Sequence, residues 1–115
     1  MNNEQKQAIE YGVPMPETCE QMDWQNETHF YWCFQQTNID CYVCCFNKQE
    51  EGYERADGGE FPPYENEFFS CPAPQMHEIK NEIRKRLPNT NTDGCVNAQT
   101  CAELYIKLKN EGLLK

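Results

Sequence analysis

Cysteines stand at positions 19, 33, 41, 44, 45, 71, 95 and 101 of this 115-residue chain. A thiol can hold a metal, act as a nucleophile or form a disulfide, and spacing separates the three. A structural zinc site needs paired C-x2-C motifs, or one such pair with a spaced pair of histidines. Only Cys41 and Cys44 have that spacing, and His29 and His77 stand far apart, so no metal is expected. A cysteine nucleophile needs a base within reach, and no Cys–His arrangement offers one. Adjacent cysteines followed by His-Asp would suggest a secreted phospholipase, but Cys44-Cys45 is followed by Phe46-Asn47-Lys48. Asp57-Gly58-Gly59-Glu60 lacks the preceding ligands of a calcium loop. The expectation is a non-enzyme without a cofactor. An even cysteine count scattered along a short chain reads as four disulfides, each worth about 2–4 kcal/mol. Such bridges persist outside the cell, so the chain is expected to be secreted and extracellular.

Composition gives those bridges a task. Leu, Ile, Val and Phe number 19 of 115 residues, below the roughly 20% at which a charged chain tends towards disorder. Mean hydropathy is −0.91 and net charge is −9. So polar a chain struggles to offset its folding entropy by burial alone. With no basic patch to neutralise phosphates, nucleic acid is not an expected partner. No segment is apolar enough to insert in a membrane. Met1-Asn2-Asn3-Glu4-Gln5-Lys6 is polar and unlike a signal peptide, so a processed chain with an added Met1 is expected.

The elements that would position these residues read as helices. One is predicted over residues 4–11, ended by Gly12 and Pro14, and a second over 16–22 with Pro16 in its first turn. Asn26-Glu27-Thr28 is a glycosylation sequon. The aromatic segment 29–47 shows no strict alternation, and a helix over 38–48 fits it, with Asn38 as cap and Cys41 and Cys45 one turn apart. Residues 49–60 read as a polar loop and 64–70 as a short helical turn. Met76, Ile79, Ile83 and Leu87 mark an amphipathic helix over 74–87. Ala98, Cys101, Ala102, Leu104, Tyr105 and Leu108 mark a last one over 97–111, closed by Gly112. The predicted fold is all-α: a compact single domain over 1–115, with five to six short helices cross-linked by four disulfides.

Three motifs carry a resemblance. They are Cys41-Tyr42-Val43-Cys44-Cys45 followed by Gly59-Glu60-Phe61, the single Cys19 after a helix holding Glu4-Gln5, and Cys101-Ala102-Glu103-Leu104-Tyr105 followed by Lys109. Together they resemble the insect odorant-binding protein family. The chain would be an atypical member with extra cysteines, since Cys33, Cys44, Cys71 and Cys95 have no counterpart there and Asn110 stands where a sixth cysteine is expected. The resemblance implies Cys19–Cys45 and Cys41–Cys101. For the rest, distance arguments favour Cys44–Cys95 and Cys33–Cys71; a Cys71–Cys95 bridge would need seven residues running extended back along a helix of about 20 Å.

The resemblance also implies transport in olfaction. A small hydrophobic molecule would sit in an apolar cavity between helices, with a membrane chemoreceptor as a further partner and a monomer or weak homodimer as the assembly. Candidate ligand-binding residues are Phe30, Trp32, Phe34, Tyr42, Phe46, Phe68, Phe69, Met76, Ile79, Ile83, Leu104, Tyr105 and Leu108. The same residues could equally form the core. His29 and His77 are candidate pH sensors or plain surface histidines. The alternative is a secreted cysteine-rich interaction protein without a cavity, using the acidic segment 49–60.

Overall fold

A computed structural model describes residues 2–35, 41–60 and 68–114. The chain order is α1 (Asn3–Tyr11), α2 (Pro16–Met22), β1 (Tyr31–Gln35), β2 (Tyr42–Asn47), β3 (Gly52–Arg55), β4 (Phe68–Pro72), α3 (Met76–Arg86) and α4 (Ala98–Asn110). The strands form one antiparallel sheet in the order β3-β2-β1-β4.

The all-α expectation is therefore corrected: the fold is mixed, with four helices and a four-stranded sheet. The error lies in the middle of the chain. The run Tyr42-Val43-Cys44-Cys45-Phe46 is aromatic and β-branched, which suits a pleated surface. It forms β2, not the helix predicted over 38–48, whose residues 38–40 lie outside the described ones. Alternation is hidden because both faces of the sheet are covered at its centre: Trp32 and Val43 on one face and Cys33 and Cys44 on the other are all buried. In a strand, Cys41 and Cys45 are about 13 Å apart at 3.3 Å per residue, so they are not one helical turn apart. The polar segment 49–60 contains β3, and residues 68–70 of the predicted helical turn begin β4; residues 64–67 lie outside the described ones.

The four expected cross-links are corrected too, since no two cysteine sulfurs lie at bonding distance. Packing holds the fold instead, in two clusters. The first joins Met22 and Trp24 to Ile79, Ile83, Cys95, Cys101, Ala102, Tyr105, Leu108 and Leu114. It is the apolar stripe that the α3 and α4 periodicities predict. The second joins Ala8, Val13 and Cys19 to Trp32, Val43 and Ala73, so α1 and α2 pack on one face of the sheet.

The helix ends follow their capping residues. Asn2 and Asn97 cap α1 and α4 through their side chains, accepting from the backbone of Gln5 and Thr100. Gly12 ends α1 at φ +65°, the left-handed conformation that glycine adopts without strain. Between α2 and β1 the sequon is tied to α3: the Asn26 amide donates to Glu82 at 3.0 Å and the Thr28 hydroxyl donates to Glu78 at 2.8 Å. Among the described residues no helix is long and apolar enough to cross a membrane.

Candidate functional site

The register of the sheet sorts the aromatic residues. Side chains alternate between faces, and Trp32 pairs with both Val43 and Cys71 while Phe34 pairs with Phe69. Trp32, Phe34, Phe69 and Cys71 therefore share the face that α1 and α2 cover. Tyr31, Cys33, Tyr42, Cys44, Phe46, Tyr53 and Arg55 share the opposite face.

The thirteen predicted ligand residues are divided by this arrangement. Met76, Ile79, Ile83, Leu104, Tyr105 and Leu108 belong to the α3–α4 cluster. Trp32 and Phe30 belong to the cluster between sheet and α1–α2. Tyr42 and Phe46 lie on the opposite sheet face, and the side chain of Phe68 lies outside the described residues. Phe34 and Phe69 form a stacked pair, with ring centroids 5.5 Å apart and planes 19° apart. They line a cleft of about 320 Å³ together with Cys19, Asp23, Trp24 and Cys71.

Trp24, which also lines this cleft, carries an unmet hydrogen-bond donor that the sequence did not reveal. Its indole Nε1 is buried and has no hydrogen-bond partner among the described residues. Trp32 is the contrast, because its indole N–H donates to the Pro14 carbonyl at 2.8 Å. A buried donor without an acceptor is costly, so each such group calls for an explanation. Trp24 also packs against Tyr105 at 5.3 Å. The only sequence signal is its position, between the end of α2 and the sequon.

The thiols around the cleft are chemically quiet. Burial, with the Cys71 sulfur nearby, pushes the Cys19 thiol well above its ordinary range. Burial pushes Cys71 up to about 11. Elsewhere, hydrogen bonding to Cys44 and then burial push Cys33 up, and burial with Cys95 pushes Cys101 up to about 12. A protonated thiol is a poor nucleophile and a poor metal ligand. Among the described residues no three His, Cys, Asp or Glu side chains converge to hold a metal.

On the opposite face Tyr53 meets Tyr31 and Phe46 edge-on, at 5.3 and 5.2 Å. A cleft of about 360 Å³ lies there, lined by Glu27, His29, Tyr31, Phe46, Lys48 and Tyr53. Beside it the Arg55 guanidinium sits 4.0 Å from the Tyr42 ring centre and pairs with Asp57 at 2.5 Å. A third cleft, of about 320 Å³, lies between α1 and the start of α4 around Ala8, Ile9, Val13 and Ala98. It contains none of the predicted residues.

Comparison of the chain with family models, with curated proteins and with solved structures finds no match in any of the three.

Proposed function

We propose that the chain is an extracellular binding domain that carries a small molecule in the cleft of Phe34, Phe69 and Trp24. The buried, partnerless indole N–H of Trp24 beside a stacked aromatic pair carries this reading. The pair offers an apolar surface to a flat or hydrophobic body, and the indole is a donor for one carbonyl or ether oxygen. The cleft volume of about 320 Å³ lies within the range of small-molecule sites. The Asn26-Glu27-Thr28 sequon supports the extracellular setting.

Displacement of a fluorescent apolar probe by small aromatic carbonyl compounds tests it. Trp24→Phe keeps the ring and removes the donor, and should weaken binding of carbonyl compounds by about tenfold, the worth of one hydrogen bond. Hydrocarbons of the same shape should bind it unchanged. No displacement by any compound would sink the carrier.

A second reading, an interaction domain without a small ligand, is supported by the acidic β2–β3 hairpin. Glu50, Glu51, Glu54 and Asp57 are exposed there on a chain of net charge −9.

A further inference from the structure

We propose that the open part of the sheet face opposite α1 and α2, around Tyr31, Phe46 and Tyr53, is a docking surface for a basic protein, and that the cleft there receives an arginine side chain of that partner. Three observations lead there. The first is a precedent on the same face: Arg55 lies over Tyr42 and is pinned by Asp57. A guanidinium held between an aromatic ring and a carboxylate is thus an arrangement this surface already builds. The second is that the neighbouring cleft has the same components, since Tyr31, Tyr53 and Phe46 supply rings and Glu27 supplies a carboxylate. Guanidinium groups favour such sites because they stack on rings and pair with carboxylates at once. The third is charge. A chain of net charge −9 with an acidic hairpin beside the cleft attracts a basic surface and disfavours an acidic one.

The anatomy fits an interface. Phe46 is 43% exposed, an aromatic side chain left in water, with Glu27 on the same cleft. Tyrosine and arginine are the residue types that dominate binding energy at the centre of such contacts. Lys48 also lines the cleft; it sets a limit on affinity that a charge-reversing variant should lift.

The test uses the full-length chain, isotope-labelled, titrated with a capped Gly-Arg-Gly peptide and with its lysine and citrulline counterparts. The arginine peptide should shift the ring resonances of Tyr31, Phe46 and Tyr53. The lysine peptide should bind at least about tenfold more weakly, and the citrulline peptide weaker still. Phe46→Ala, at an exposed position, should keep the fold and lose about tenfold in affinity, and Lys48→Glu should gain. Equal binding of arginine and lysine peptides would overturn the proposal, because charge alone would then explain it. So would shifts centred on other acidic residues, or no shifts at all. These outcomes are independent of the Trp24 cleft, which lies on the other face of the sheet.

Discussion

Trp32 of β1 donates its indole N–H to the carbonyl of Pro14 at 2.8 Å, and the same carbonyl lies 3.6 Å from the Cys19 sulfur. One backbone oxygen between α1 and α2 thereby anchors β1, one of the two inner strands of the sheet. Trp32 is fully buried, so Trp32→Phe loses both a bond and packing volume and should cost about 2–4 kcal/mol. Trp24→Phe breaks no hydrogen bond and should cost less, under about 1.5 kcal/mol. Urea denaturation of the two variants measures the difference, and equal costs would contradict this account.

Alkali should weaken the reduced protein. The Cys71 and Cys101 thiols are raised from an ordinary value of 9.0 to about 11 and about 12. The folded state then binds more protons than the unfolded one between those limits. Stability is fully present below pH 9 and falls as pH rises through 11 to 12, by no more than about 1.4 kcal/mol per pH unit for each thiol. Thermal melts in a reducing buffer across this window would show it; a flat profile would not fit.

The acid side should show a smaller effect at the hairpin. Hydrogen bonding to Arg55, and then to the Gly59 backbone, holds the Asp57 carboxyl below its ordinary value. Its stabilisation is present above the unfolded carboxylate value and is lost as pH falls through the lowered one. Both partners are near the surface, so Asp57→Asn should cost under about 1 kcal/mol at neutral pH. Once pH has fallen through that lowered value, the variant and the parent should converge.

The sequon residues have a structural duty. Thr28→Val keeps the shape and leaves Glu78 without its hydroxyl partner, and should cost about 1 kcal/mol. Thr28→Ser retains the hydroxyl and should cost less. Differential scanning calorimetry on both, made in a host that does not glycosylate, separates the hydroxyl from the sequon.

The helices were readable because each carries its own punctuation. Pro16 opens α2, Gly12 closes α1, and Ile79 with Ile83, or Cys101 with Tyr105, repeat at helical spacing. The sheet was not readable, since its strands are short and buried on both faces near the centre, so Trp32 and Cys33 are equally apolar in their surroundings. The β2–β3 turn also lacks the Asn-Gly signal of a tight hairpin. It spans Lys48 to Glu51, with the Asn47 side chain accepting from Gln49 and Glu51 at φ +51°. Cysteine spacing misled for a related reason: Cys41 and Cys45 share a side in a helix and in a strand alike, but at very different separations. In the candidate site, Phe34 and Phe69 were named from aromatic content alone. Trp24 was missed, because whether an indole finds an acceptor depends on tertiary packing.

The short helix α2 gives Cys19 to one buried cluster and Met22 to the other, and the two clusters have no residue in common. The seven-residue α2 thus links the two clusters, and the hydrogen bonds from the Met15 N–H to Gln99 and from the Gln75 amide to the Tyr11 carbonyl cross the same seam. The Phe34–Phe69 cleft is bounded by Cys19 from one cluster and Trp24 from the other. A molecule bound there would grip both sides of the seam, so its signature would include amide protons in α1 and in α4 becoming protected together.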